Sequence, residues 1–298
     1  MGLYQGSVYV DFTSIIGLIA GLGLVIFGIV FDPSAGVVWS TIMNFIDVPS
    51  MAITFGGAIA ATVIAFPIAY FKDIPKHMKI VVSRNRYDPK QYIDTIVDYA
   101  QEARRKGLLS LEDKANQEQD PFLKNSMMLI VDAIDPVKVK EILDDELDGL
   151  EDRHSHAWQF YEKFSTFGPA FGMIGTLIGL INMLANMDMN ADGGATKMAQ
   201  GMSTALVTTF YGSMMSNLLL TPLAHKLHMR HDEEMVCKEI VVEGVMAIQA
   251  GDNPKHIEER LNAYICEKKR MEAGGRGQAS PQSEPSTPKE KKSRRKKK

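Results

Sequence analysis

The stretch GPAFGMIGTLIGLINML, residues 168–184, decides the fold. It is apolar enough to lie in a bilayer, yet it contains Pro169, four glycines and one hydroxyl, Thr176, and it has no acid or base. About 20 apolar helical residues cross the hydrocarbon core of a bilayer. The stretch therefore predicts part of a transmembrane helix, and any ion that it handles must meet its counter-charge elsewhere.

Four segments of the chain have this character, and none of them contains Asp, Glu, Lys, Arg or His. They are residues 13–31, 49–71, 164–187 and 198–224. Four such runs are not expected of the buried helices of a soluble protein. The sequence predicts an all-α membrane protein with four transmembrane helices, and it shows no recognisable strand pattern.

The distribution of Lys and Arg predicts the orientation. The links 32–48 and 188–197 hold one such residue, Lys197, whereas residues 72–163 and the chain after residue 225 are rich in both. Because positively charged loops stay in the cytoplasm, we expect the long loop and both termini there. The sequence therefore predicts a membrane protein with several spans whose long loop and termini are cytoplasmic.

The cytoplasmic segments read as helices. Asp88 and Asp135 each precede a proline, a pattern typical of an N-cap followed by the first helical residue. The second of these helices is predicted to continue into the third span, and the fourth span to continue to a stop at Gly251. These helices predict a cytoplasmic domain formed by the loop between spans 2 and 3 together with the C-terminal region.

The predicted organisation has five parts. Residues 1–71 carry spans 1 and 2, 72–163 form the cytoplasmic helical domain, 164–224 carry spans 3 and 4, 225–272 form a helical extension, and 273–298 form a disordered tail. The tail holds nine Lys or Arg and two Asp or Glu, a net charge of +7. Because the whole chain has a net charge of −3, residues 1–272 carry −10. The tail either binds anionic membrane lipid or serves as a solubilising segment. No folded nucleic-acid reader accompanies it.

Enzyme and metal chemistry are not expected. Cys237 and Cys266 are too few for a disulfide framework or a zinc site, and no nucleophile triad, phosphate loop or dinucleotide fingerprint is present. His225, His228 and His231 recur every third residue without an acid or cysteine that would complete a metal site. We predict no catalytic residue, no metal site and no cofactor.

The third and fourth spans hold the candidate ion-path residues. Pro169 and Pro222 each remove a backbone donor and free a carbonyl one turn earlier, which in a membrane favours a hinge or a water-lined path. Thr176, Thr208 and Thr209 place hydroxyls in the spans, although a membrane threonine often bonds only to its own helix. Small residues line one side of each span and favour close helix packing.

An ion-driven membrane machine needs a group that binds and releases the ion, and that group is usually an Asp or Glu. The four predicted spans offer none. The carboxylate is therefore expected on another polypeptide. Asp32 and Asp47 lie near the predicted outer mouth, where they either attract cations or are ordinary loop acids.

A charged motif, ARRKGLLSLED at 103–113, lies in the long loop. It places Arg104 and Arg105 a few residues before Glu112. By itself this pattern favours a solvated helix face with weak surface ion pairs.

Together, GPAFGMIGTLIGLINMLANMD, ALVTTFYGSMMSNLLLTPLAHKL and ARRKGLLSLED closely resemble the MotA/PomA family of flagellar stator subunits. The resemblance runs from the first span to about residue 269. It implies several copies, five in the family, around a MotB/PomB-type partner whose single span carries an ion-binding Asp. It also implies that ion flow drives torque on the rotor protein FliG.

The resemblance assigns roles to the candidate residues. Arg104, Arg105 and Glu112 match rotor-facing charges, and Pro169 and Pro222 match prolines implicated in coupling. Thr176 and Thr209 match hydroxyls of the ion path, Thr208 remains a candidate because it adjoins Thr209, and Asp47 matches an acid near the outer mouth. Thr176 and Asp47 resemble the sodium-type pattern, so sodium is favoured as the transported ion, with the proton as the alternative.

Three other functions fit the sequence less well. An ExbB/TolQ-type proton-channel energiser usually has three spans, which disfavours it here. A stand-alone transporter would need its own membrane carboxylate or base. A structural scaffold would not need the prolines and threonines together.

Overall fold

The computed structural model describes residues 12–83, 87–186 and 194–265. The predicted basic tail, Cys266 and most of the link 188–197 lie outside the described residues. Nearly all of the described chain is helical.

The first predicted span is helix α1, Phe12–Val30. A two-residue hairpin follows, in which β1, Phe31–Asp32, pairs antiparallel with β2, Gly36–Val37. The expectation that the chain has no strands was therefore wrong at this point. The Asp32 carboxylate accepts hydrogen bonds from the Ser34 hydroxyl at 2.6 Å and the Ser34 N–H at 2.7 Å, which lower its pKa and close the turn. A 3₁₀ helix, Trp39–Phe45, completes the link.

The second span is one helix with a π-helical turn. It consists of α2, Val48–Met51, the π segment Ala52–Gly56, and α3, Gly57–Ala65. The predicted end at residue 71 was wrong, because Pro67 has no N–H and forces Phe66 into an extended conformation, φ −132° and ψ 142°. A separate helix, α4, Ile68–Val82, then begins.

Short helices form most of the loop domain. They are α5, Pro89–Lys106, a 3₁₀ helix Leu108–Leu111, α6, Glu112–Gln117, and α7, Pro121–Val131. The predicted N-cap is confirmed at α5, where the Asp88 carboxylate accepts a hydrogen bond from the Lys90 N–H. Asp120 caps α7 in the same way.

Two long rods organise the molecule. Helix α8, Pro136–Ala185, has 50 residues and confirms the prediction that the helix capped by Asp135 enters the third span. The second rod joins α9, Gly194–Met214, a π segment Met215–Leu220, and α10, Thr221–Gln249. It ends before Gly251, which has φ +77° as expected of a helix stop. The last helix is α11, Pro254–Leu261, followed by a 3₁₀ turn, Asn262–Tyr264.

Two described helices are long and apolar enough to cross a membrane, Val48–Ala65 and part of Pro136–Ala185, and Ser14–Val30 is a shorter apolar helix. The predicted fourth span, 198–224, is not among them. Large apolar side chains are left open to the surroundings, for example Leu24 at 71% and Ile64 at 88% of their full exposure. Such surfaces require lipid or another protein.

Helices α8 and α9 pack through a seam of small residues. A Cβ built on Gly168 would lie 2.9 Å from the Gly212 carbonyl oxygen, and one built on Gly179 would lie 2.5 Å from the Gly201 carbonyl oxygen. The seam residues are Gly168, Gly172, Gly175 and Gly179 on α8, and Gly201, Ala205, Thr208 and Gly212 on α9. Both sets are spaced by four, three and four residues, which is the heptad spacing of helices crossing at a small angle.

The core of the loop domain joins α5 and α7 to the ends of both rods. Ile96, Met127, Leu143 and Val245 are fully buried in it. Lys238 lies at its edge with a side chain only 10% exposed, 3.8 Å from Asp120. Removing one partner of such a buried pair costs about 3–5 kcal/mol, so this pair helps to hold α7 on α10.

A histidine pair joins the two rods below the third span. The Nδ1 atoms of His154 and His231 are 3.2 Å apart, and burial lowers the pKa of both. Both rings are therefore neutral near pH 7, where one donates to the other.

We expect acidification to weaken this junction. An unfolded histidine takes up a proton near pH 6.5, whereas the buried pair takes it up only at lower pH. The stability from the pair is thus fully present above about pH 6.5 and is lost as the pH falls through the lowered values. Melting temperature measured from pH 7.5 to 5.5 should fall less in His154→Gln than in the wild type.

Candidate functional site

The candidate ion-path threonines flank the glycine seam. Thr208 is fully buried against Gly175, whose Cβ would meet its side chain at 2.4 Å. Thr176 and Thr209 are the next residues along α8 and α9, and Thr209 remains exposed. Gly172 packs against the Thr209 backbone, because a Cβ built on Gly172 would lie 3.2 Å from the Thr209 Cα.

Helix geometry places Thr176 and Thr209 on the same side of the seam. Consecutive residues of an α-helix point about 100° apart. Gly175 faces Thr208 across an antiparallel pair, so one step forward on each helix turns both side chains to a common side. The second span packs on the other side, where the Thr54 hydroxyl donates to the Thr208 carbonyl at 3.3 Å.

The hydroxyl hydrogens of Thr176 and Thr209 already form hydrogen bonds within their own helices. Thr176 donates to the Met173 carbonyl at 2.6 Å, and Thr209 donates to the Ala205 carbonyl at 3.3 Å. This is the local bonding expected of a membrane threonine. Each oxygen keeps its lone pairs, so these residues can accept a hydrogen bond from water or contact a cation. The Thr208 hydroxyl also bonds within its own helix, to the Thr204 carbonyl at 2.8 Å. Thr208 differs from the other two threonines in being fully buried.

Asp47 is the N-cap of the second span. Its carboxylate accepts the Ser50 N–H at 3.0 Å and the Ser50 hydroxyl, and it accepts the Thr204 hydroxyl at 3.2 Å. The predicted mouth acid therefore links α2 to α9. A half-buried carboxylate at a helix N-terminus is also favoured by the helix dipole.

The two prolines differ in their position within their helices. Pro169 is inside α8, where its Cα would lie 3.3 Å from a Cβ at Gly212. Pro222 is exposed and is the second residue of α10, which begins at Thr221 after the π segment Met215–Leu220. A proline removes the N–H that would bond to the carbonyl four residues earlier, and a π-helical turn is one way in which a helix absorbs that loss.

The charged motif forms the tip of the loop domain. Arg104 and Arg105 end α5, Glu112 begins α6, and all three side chains are exposed. Arg105 donates to the Gln101 side chain at 3.3 Å. Within the described residues, neither Arg104 nor Glu112 lies within 4 Å of an opposite charge on another side chain. Leu109, between them, is 75% exposed.

Gly107 sets the geometry of this tip. Its φ of +87° and ψ of 165° lie in a region that only glycine adopts without strain. We expect Gly107→Ala to destabilise the loop domain by about 1–3 kcal/mol, measured as a lower melting temperature. Gly149→Ala, where the new methyl group would have ordinary contacts, is the control and should stabilise or leave α8 unchanged. Equal melting temperatures for both variants would contradict the requirement at Gly107.

The contacts between the second span and α9 were not predicted from the sequence. Thr54 and Ser50 are both completely buried and bond across to α9. The segment Asp47 to Ser50 carries a readable signal, since an Asp three residues before a Ser and followed by a proline resembles an N-cap. No local signal pairs Thr54 with Thr208, because the contact spans 154 residues.

The described residues contain no group of three or more His, Cys, Asp or Glu that could hold a metal ion. The described parts of the predicted spans contribute hydroxyls, backbone carbonyls, apolar side chains and the amides of Asn182, Asn186, Gln200 and Asn217, but no Asp, Glu, Lys, Arg or His.

Residues 114–240 match the MotA/TolQ/ExbB proton channel family. Motility protein A of Borreliella burgdorferi is 36% identical over 263 residues, which cover 88% of this chain and 96% of the relative. The chain belongs to the MotA family of flagellar motor stator subunits. The MotA-family chain of the Bacillus subtilis MotAB stator complex superposes with a TM-score of 0.76 at 30% identity, over 88% of this chain and 99% of that one. Chemotaxis protein PomA of Vibrio alginolyticus is 33% identical over 87% of this chain and 97% of its own length.

The MotA family is a family of ion-channel components of the motor and not a class of enzymes. Membership of this family accounts for the exposed apolar helices, because MotA-family proteins are membrane components of the stator.

Proposed function

We propose that several copies of this chain, five by the family resemblance, surround a MotB/PomB-type partner in the bacterial cytoplasmic membrane. The complex couples inward flow of sodium or protons to torque on the rotor protein FliG. The solved relative is a MotAB complex, which supports a partner of this type.

The observation that carries the proposal is the pairing of Thr176 and Thr209 on one side of a seam without ionisable groups. Predicted spans without any Asp, Glu, Lys, Arg or His cannot themselves release and rebind a coupling ion. Hydroxyl lone pairs on a common side, opposite the second span, suit a wall that faces a partner's carboxylate. Pro169 and Pro222 then give that wall two places at which the helices can bend.

The proposed topology has four spans with both termini in the cytoplasm. The charged helices α5 to α7 and the N-terminal part of α8 are then cytoplasmic. Residues 136–163 of α8 extend about 42 Å from the membrane at 1.5 Å per residue. The side chains of Arg104, Arg105 and Glu112 are exposed on this cytoplasmic domain. Their exposure supports their use as the rotor contact.

We expect Arg104→Glu to weaken binding to FliG about fivefold at low salt, equivalent to the loss of one exposed ion pair of up to about 1 kcal/mol. The effect should shrink at high salt, because exposed charges are screened over about 8 Å at physiological ionic strength. Binding of the purified complex to FliG, titrated with salt, measures this. Lys90→Glu, an exposed change at the other end of α5, is the control. Equal binding of Arg104→Glu and wild type at every salt concentration would remove Arg104 from the contact.

The transported ion is tested by flagellar rotation speed against external sodium at fixed pH. Because the hydroxyls can replace part of the oxygen shell of sodium, we expect speed to rise with sodium. A speed that ignores sodium but follows the proton-motive force would identify a proton stator with a water-lining Thr176.

The ExbB/TolQ-type energiser is the alternative function, and the matched family model spans both groups. The full-length motility relatives favour the stator. Normal rotation after deletion of the gene, in cells without a second stator, would reverse this choice.

A further inference from the structure

A basic cavity of about 510 Å³ lies where α4, α8 and α10 meet. Four cationic side chains line it, Lys76, Lys79, Arg153 and Arg230, with Glu234 as an acid among them. Trp158 forms part of the wall, packed between the rings of His228 and His231 at 4.7 and 5.0 Å. The cavity is separate from the threonine seam and from the tip.

Acidic side chains pair with two of the four cations that line the cavity. Lys76 pairs with Asp73 at 2.6 Å, and Arg230 pairs with Glu233 at 3.0 Å. In the described ranges, Lys79 and Arg153 have no acidic partner within 4 Å. Residues 1–272 carry a net charge of −10, so a concentration of cations at one cavity is against the trend of the whole chain. Like charges that repel one another favour an anionic ligand.

The histidines of the cavity add neutral donors. His154 and His231 line it, and burial lowers the pKa of both below the ordinary value, chiefly through desolvation. His77 also lines it, has a pKa lowered by burial, and lies 3.3 Å from the Tyr161 hydroxyl. Neutral imidazoles can donate hydrogen bonds to an anion without further repulsion among the cations.

The position of the cavity suggests how a ligand reaches it. Helix α4 begins directly after Pro67, where the second span ends. Trp158 lies six residues before the predicted start of the third span, at the level where tryptophan is typical of a membrane interface. The placement at the cytoplasmic membrane surface rests on the proposed topology, whereas the cavity and its charges do not.

We propose that this cavity binds a phosphate group, held by Lys79 and Arg153, as part of an anionic phospholipid headgroup or as free phosphate. The guanidinium of Arg153 offers a planar pair of donors that matches two phosphate oxygens. Lys79 supplies an ammonium group from a second helix, α4. Basic cavities between membrane helices on the cytoplasmic side bind such headgroups in other proteins. A bound phosphate would tie α4 to the two rods at the membrane surface.

The test compares the full chain, purified with its partner subunit, with a Lys79→Gln/Arg153→Gln variant. Lys138→Gln/Lys140→Gln is the control, because it removes two exposed charges from α8 about 20 Å away along the same helix. Binding is measured to inorganic phosphate by calorimetry in detergent. It is measured to phosphatidylglycerol, against phosphatidylethanolamine, by native mass spectrometry after extraction from nanodiscs of stated composition.

Each cation near an anionic group contributes a factor of about five in affinity, so the double variant should bind about 25-fold more weakly than wild type or control. Preferential retention of phosphatidylglycerol that phosphate does not displace identifies the headgroup as the source. Saturable phosphate binding without lipid preference identifies free phosphate. Equal affinity of the double variant, the control and the wild type for both probes overturns the site.

A second measurement needs no variant. Bound phosphate or phosphatidylglycerol should protect Lys79 of the wild type from an amine-reactive reagent at least fivefold more than Lys138. Equal modification of the two lysines with and without the probes would also overturn the proposal. Neither measurement depends on ion flux. The binding site and the proposed ion channel are therefore tested separately, and failure of one test leaves the other proposal undecided.

Discussion

Replacing Gly212 by valine is expected to break the association of the two rods in the membrane. A Cβ at this position would lie 2.5 Å from the Gly168 carbonyl oxygen and 3.0 Å from its carbon. These are backbone atoms, which cannot rotate away as a side chain does, so α8 and α9 would have to separate. Overpacking of this kind costs typically 1–3 kcal/mol and more when the backbone must move. We expect a loss of at least about 3 kcal/mol.

The measurement is the melting temperature of the purified chain, together with the yield of complex with the partner subunit. Gly23→Val in α1 is the control, because a Cβ there meets no other atom within 4 Å. A Gly212→Val complex that assembles in normal yield and melts with the Gly23→Val protein would show that the seam tolerates a wider spacing than its contacts indicate.

The second large effect is expected from Thr176→Val, a change that keeps the shape of the side chain and removes its oxygen. Thr176 contributes one local hydrogen bond to α8, so the fold should be retained. If its lone pairs contact the passing ion or its water, ion flux should fall at least about tenfold, since a hydrogen bond to a charged group is worth about 1.5–3 kcal/mol. Sodium and proton flux through the reconstituted complex measures this.

Thr166→Val provides a matched control on the same helix. Its hydroxyl also bonds to a carbonyl three residues earlier, at 2.7 Å, and its side chain is exposed. Flux through the Thr166→Val complex should equal that of the wild type. Normal flux through the Thr176→Val complex, with normal assembly, would assign Thr176 to helix packing alone.

The ends of the helices were largely predictable from the sequence because caps are local. Asp88 and Asp135 begin their helices as expected, and the third span continues the helix capped by Asp135 without interruption. The exception is the second span, whose apolar character continues past Pro67 while its helix does not. Hydropathy there reports the surroundings, whereas proline decides the backbone.

The site was predictable only in part, for a related reason. The small residues of both spans indicate close packing, and their heptad spacing is present in the sequence. Which glycine meets which residue depends on the register of two segments, whose contacting residues are 22 (Gly179 and Gly201) to 44 (Gly168 and Gly212) positions apart in the chain. The role of Asp47 as a cap joined to Thr204, and the meeting of His154 with His231, depend on the same long-range register.

The unbroken course of α8 has a mechanical consequence. Between the loop domain and Pro169 the helix contains no other proline, so the 28 residues before the predicted third span act as a stiff lever. A tilt of about 5° at the seam would carry the far end of an arm of about 42 Å sideways by about 4 Å, roughly two thirds of the pitch of an α-helix. A displacement too small to rearrange the membrane packing can thus become a stroke large enough to move a neighbouring surface.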